Sequence, residues 1–193
     1  MSARHIPAFA AAFVLAMGLA GCAGTPGAGP TGSTSASPSP AGSAPPSAGP
    51  ATLPTDCADI GTPETRAGTV DDMTLQSDGT GFERPAPAGA TLELGCDWIV
   101  GDATGILLLI SRVDPAAGAA LAATLPGEGY TCTSGDAGNP VCQKSTPPAA
   151  DADHPVDVVS TVLSREDVWI YMETSNVDGD PLLSDLNAQT WAP

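Results

Sequence analysis

Positive charge is scarce in this sequence. Lysine and arginine together number six against 22 aspartates and glutamates, for a formal charge of −16. Such a chain is repelled by phosphate backbones, which argues against nucleic acid as a partner. Histidine is scarcer still, with only His5 and His154. No long apolar run is present: the N-terminal stretch 8–19 falls short of the roughly 20 residues that a membrane-spanning helix needs. Aromatic residues make up only 4 %, so any that gather on one strand stand out. The five cysteines include no Cys-x-x-Cys pair, which leaves zinc without its usual ligand spacing.

What the N-terminus does contain is ordered. Arg4 supplies positive charge, residues 8–19 an uncharged apolar middle, and Ala20 and Gly21 the small residues of a cleavage site. Leu19-Ala20-Gly21-Cys22 resembles the lipobox of bacterial lipoproteins. The resemblance implies a signal peptide over 1–21. It also implies a diacylglyceryl group on the Cys22 thiol, with further acylation of the palmitate kind, and a mature chain that begins at Cys22. Two acyl chains are enough for stable anchoring, where one alone is marginal. The expected location is the extracytoplasmic face of the cell membrane, and the expected partner is the membrane, reached through that lipid.

Residues 23–52 are exclusively Ala, Gly, Pro, Ser, Thr and Leu-free. A segment without charge, rings or large aliphatic groups buries too little to offset the entropy of ordering it. We therefore assign 22–55 to the lipidated cysteine and a disordered linker. It would span roughly 30 Å as a random coil and roughly 90 Å as polyproline helix. Its composition is similar to that of secreted proteins from high-GC actinobacteria. An O-glycosylated stalk is the alternative reading of the same Ser, Thr and Pro mixture.

The remaining stretch, 56–193, has the length of one globular domain. It contains Cys57, Cys96, Cys132 and Cys142. An even count in an exported chain implies disulfides, and four cysteines allow three pairings. We favour Cys57–Cys96 and Cys132–Cys142. The second pair brackets the turn-rich stretch 135–140, which would bring its flanks together.

Residues 91–100 alternate, with Leu92, Leu94, Cys96, Trp98 and Val100 on one face and Glu93, Gly95 and Asp97 on the other. This predicts a strand with one buried side. Residues 105–113 are apolar almost throughout, which predicts a central strand covered on both faces. Asp114-Pro115 then opens a helix, since Asp is a good N-cap and Pro suits the first helical position. A hairpin carries Cys132 and Cys142, 147–155 is a loop, and 156–163 and 168–175 are two further strands. Asp180-Pro181 opens a second helix with Leu182, Leu183, Leu186 and Trp191 as apolar anchors, and an early helix is expected over 64–70. The two Asp-Pro starts lie 66 positions apart, as if two strand–strand–helix units were related. The elements predict an α+β fold: an antiparallel sheet with two to three helices on one face.

A lipobox, a spacer, a cysteine before the first helix and the Cys96-Asp97-Trp98 strand together resemble small actinobacterial lipoproteins of unknown function. These are similar in turn to extracellular sensor domains of mycobacterial receptor kinases. The resemblance implies a two-disulfide domain with a ligand cleft and no catalytic residues.

Proton-shuttling catalysis needs an imidazole. His5 lies in the signal peptide. His154 sits in a loop beside Asp151, Asp153 and Asp157, where a solvated role is expected. No Gly-x-Ser-x-Gly is present, and the acidic residues stand in turns and caps rather than in the paired setting of a glycosidase. The run Asn176-Val177-Asp178-Gly179-Asp180 partly matches a calcium loop, but it lacks the distal Glu and ends at a helix start. We therefore expect no enzyme, no cofactor and no metal.

Trp169, Tyr171 and Glu173 share one face of the last strand, and aromatic rings beside a carboxylate suit a sugar ring or a peptide. The same rings would otherwise be core. The expected function is a non-catalytic binding or sensor module at the cell envelope, meeting an unidentified ligand or protein. The alternative is an accessory protein of an envelope complex, and an envelope hydrolase ranks below both.

Overall fold

The computed structural model describes residues 51–82, 84–135, 138–148 and 155–192. The expectations for the signal peptide, for Cys22 and most of the linker, and for His154, Asp151 and Asp153 lie outside these residues. Seven strands form one antiparallel sheet: β1 (Thr74–Ser77), β2 (Thr91–Val100), β3 (Thr104–Arg112), β4 (Thr131–Ser134), β5 (Pro140–Thr146), β6 (Val158–Arg165) and β7 (Val168–Ser175). Their spatial order is β1-β2-β3-β7-β6-β5-β4. Three helices accompany them: α1 (Pro63–Thr69), α2 (Pro115–Ala122) and α3 (Asp180–Thr190). Among the described residues no helix is long and apolar enough to cross a membrane.

β3 pairs with β2 on one side and β7 on the other, and it is buried from Ile106 to Ser111. A strand this apolar needs cover on both faces, and the helices divide accordingly. On one face Ile106, Leu108, Ile110, Ile170 and Met172 pack with Leu182 and Leu186 of α3 and with Ile60 and Val70 around α1. On the other, Leu107, Leu109, Trp169 and Tyr171 pack with Ala122 of α2, Leu125 and Tyr130. Two helices thus share a face, and α2 takes the opposite one.

Two strand–strand–helix units are present, β2-β3-α2 and β6-β7-α3, meeting at the β3–β7 pair. Their helix starts differ. Asp114 caps α2, its carboxylate accepting the Ala117 N–H at 3.0 Å, with Pro115 in the first position. Asp180 is already inside α3, and its own N–H is taken by the Asp178 carboxylate at 3.0 Å.

Both favoured disulfides are formed. Cys57–Cys96 ties the 3-10 turn before α1 to β2, and Cys96 is fully buried. Cys132 and Cys142 face each other across the β4–β5 hairpin. The chain joins the fold already at Ala51, which is buried. The Thr52 N–H donates to the Thr190 carbonyl, and Arg112 donates to the Ala51 carbonyl, both at 2.9 Å. Residues 51–55, assigned to the linker by composition, therefore lead into the core, with Leu53 packed against it.

The alternation in β2 is interrupted. Leu92 opposes Ser111 and Leu94 opposes Ile110, so Glu93 is the extra residue of a β-bulge. Cys96 and Trp98 remain on the α1/α3 face, as the pattern predicts. Leu92 is displaced to the opposite face, where it borders a cavity with Leu109 and Trp169. One inserted residue reverses the side on which all preceding side chains lie.

Candidate ligand site

The α2 face of the sheet is only partly covered by α2 itself. Residues 78–82 and 84–90 cross its middle as a strap without regular structure. Glycine permits the crossing at two points. Gly79 adopts a left-handed backbone conformation with φ +68°, and Gly95 of β2 has no Cβ, so the Asp78 carbonyl rests directly on the strand. The Asp78 carboxylate accepts the Thr80 N–H at 2.9 Å, closing a local turn. That backbone hydrogen bond holds its pKa below the ordinary carboxylate value.

The strap is fastened to β7. The Trp169 indole N–H donates to the Pro85 carbonyl at 2.9 Å. Arg84 places its guanidinium 3.1 Å from a Glu173 oxygen, 5.4 Å from the Phe82 ring centre and 6.0 Å from that of Tyr171. The Tyr171 hydroxyl donates to the other Glu173 oxygen at 2.6 Å, and its oxygen lies 3.2 Å from the Ser160 hydroxyl. Burial, and then the bond to Glu173, push the Tyr171 pKa well above the ordinary phenol value. Tyr130 is shifted upward too, mainly by burial, and Lys144 places its ammonium 5.6 Å from that ring.

Trp169, Tyr171 and Glu173 thus share a face, as the strand period requires. Trp169 and Tyr171 are 1 % and 3 % exposed, so both rings belong to the packed interior beneath the strap. They wall a cavity of about 310 Å³. Glu173 is half-buried and borders a second cavity of about 230 Å³ at the β2–β3 hairpin end of the sheet. Its floor is Gly105 and Leu107 of β3, its sides are Asp97 and Ile99 of β2 with Asp102 of the hairpin turn, and Phe82 and Arg84 of the strap border it above. Phe82 and Arg84 border both cavities.

Sequence reasoning passed over the strap residues and Asp97. Phe82 and Arg84 lie in an aperiodic segment with no motif. Asp97 was legible as the exposed-face residue between Cys96 and Trp98, but what faces it depends on the strap.

A wider groove of about 610 Å³ runs along the opposite face beside the start of α3. It includes the stretch with partial calcium-loop spacing. Its polar groups bind one another: Asn176 accepts the Asp157 N–H at 2.9 Å, and Gln143 donates to Asp180 at 3.0 Å. Among the described residues no group of three or more His, Cys, Asp or Glu side chains is placed to hold a metal ion.

No protein-family model matches this sequence, and no curated protein matches it. The chemistry of the site is therefore read from its own residues.

Proposed function

We propose that this protein is a non-catalytic binding or sensor module, held by lipid at Cys22 on the extracytoplasmic face of the membrane. In this reading its ligand seat is the cavity between the strap and the β2–β3 hairpin. One observation carries it. The sheet is covered along most of its α2 face, yet at one end an exposed ring, Phe82, stands with carboxylates over an apolar floor. Apolar surface with a few convergent polar groups is the usual composition of a ligand site. A tether at one end of the chain suits capture or signalling at an envelope.

The test has two parts. The Cys22→Ala protein should leave the membrane fraction; retention there would remove the anchor. A thermal-shift panel of small amines, sugars and short peptides should contain compounds that raise the melting temperature of the wild type and not of Phe82→Ala, and that are recovered unchanged. Equal stabilisation of the variant would remove the seat.

A second reading, an accessory protein of an envelope complex, is favoured by α2. Its sequence, Pro-Ala-Ala-Gly-Ala-Ala-Leu-Ala, carries no charge, and Ala116, Ala119 and Ala120 are exposed. Crosslinking from this helix to another envelope protein, with no compound acting at Phe82, would favour it.

A further inference from the structure

We infer that the ligand of this seat is a small cation: an ammonium or guanidinium group on an apolar stem. The inference rests on reading the hairpin-end cavity as the ligand seat.

The charges around the cavity do not balance. Among the described residues three carboxylates border it, Asp97, Asp102 and Glu173, against a single cation, Arg84. Arg84 is committed to Glu173 at 3.1 Å. Among the described residues neither Asp97 nor Asp102 takes part in an ion pair. Asp97 accepts a hydrogen bond from the neutral Ser77 hydroxyl at 3.1 Å, which orients the carboxylate without neutralising it. Asp97 stands on β2 between β1 and β3, paired with Leu107 and opposite Ser77, so its backbone is fixed by both neighbours.

The aromatic wall points the same way. Phe82 is 41 % exposed, and its ring already attracts the Arg84 guanidinium at 5.4 Å. The site thus holds one cation of its own by a ring and a carboxylate, and it offers a ring and two unneutralised carboxylates to another. Ile99 and Leu107 supply apolar surface for a stem. The volume of about 230 Å³ suits a group the size of a basic side chain rather than a drug-sized molecule. The strongly acidic chain as a whole draws cations toward the domain and repels anions.

The test uses the purified full-length protein and two probes of the same shape, n-butylguanidinium and neutral n-butylurea. Titration calorimetry should show butylguanidinium binding about tenfold or more tightly than butylurea, an advantage that shrinks as salt is raised. The Asp97→Asn, Asp102→Asn double variant should abolish that advantage, and Phe82→Ala should weaken binding of the cation. Asp102→Asn alone, in an exposed turn, gives the same direction should the double variant lose its fold. Equal binding of the two probes, or an unchanged preference in the folded double variant, overturns the inference. If butylurea binds as well as the cation and still depends on Phe82, the seat stands and only the cation class falls. If neither probe binds, or binding ignores Phe82, the seat and the cation fall together. Acetyl-Gly-Arg-Gly-amide binding more tightly than butylguanidinium would identify the source as a basic peptide segment, and the reverse order a free small molecule.

Discussion

The Trp169 indole donates its N–H to the Pro85 carbonyl at 2.9 Å, joining β7 to a strap that lies 84 residues earlier in the chain. A buried donor of this kind is costly to leave unpaired, so the strap and the strand hold each other in place. Trp169 is also one of the largest fully buried side chains. Trp169→Ala should therefore destabilise the domain by about 3–5 kcal/mol, as core aromatic truncations do. Trp169→Phe keeps most of the volume and loses the donor. It should cost about 1–2 kcal/mol and speed hydrogen exchange in residues 84–90 more than in β3. Denaturant unfolding with site-resolved exchange measures both. A fully stable Trp169→Ala protein would show that the ring is not core.

Gly95 tests the close approach of the strap from the other side. A Cβ there would collide with the Asp78 carbonyl, a backbone atom that cannot rotate away. Gly95→Ala should lift the strap and cost about 1–3 kcal/mol, the range of overpacking changes. Gly68→Ala is the control, since a Cβ there meets nothing within 4 Å. Thermal melts of the two variants should separate clearly.

The two disulfides should differ in worth. Cys57–Cys96 spans 39 positions and Cys132–Cys142 spans 10. The loop-closure model assigns about 4 kcal/mol to the first and about 3 kcal/mol to the second. Cys96 is fully buried, whereas Cys132 lies on an exposed edge strand. Mild reductant should open Cys132–Cys142 first, read by mass spectrometry after alkylation, and double Cys→Ala replacement should hurt more at 57/96 than at 132/142.

Acid should loosen the contact between α1 and α3. The Asp185 carboxylate accepts the Thr62 N–H at 2.8 Å, and this backbone bond lowers its pKa below the ordinary carboxylate value. A folded pKa below the unfolded one contributes stability above the unfolded value, about 3.9, and loses it as pH falls through the folded value. Asp185→Asn keeps an acceptor but not the titration. Its stability should fall less steeply than that of the wild type below about pH 4. Parallel acid limbs in the two proteins would rule out Asp185 as a contributor.

Much of the fold is legible because local chemistry and burial agree. β7 occupies 168–175 as expected, since a short run of β-branched and aromatic residues is bounded by turn residues on both sides. α2 begins where Asp114 and Pro115 place it. The Cys132–Cys142 pair follows from the turn between its members. β1 escapes notice because it has four residues, three of them exposed, and no apolar period. The bulge at Glu93 is equally silent, for a run of alternating residues does not announce where its pairing slips.

The candidate site divides along the same line. Trp169, Tyr171 and Glu173 were placed on one face by the two-residue period of a strand, and that needs no tertiary information. Whether the face is open depends on residues 78–82 and 84–90, placed by Gly79 against Gly95 and by Trp169 against Pro85. The sequence by itself determined the acidic charge, the two-faced central strand and the helix starts, each a property of near neighbours or of composition, while the pairing of Cys57 with Cys96 joins positions 39 apart. Only the tertiary structure decided that the rings are core and that Asp97, Asp102 and Phe82 meet around one cavity. Those contacts join distant segments, and their geometry is set by packing rather than by any local preference.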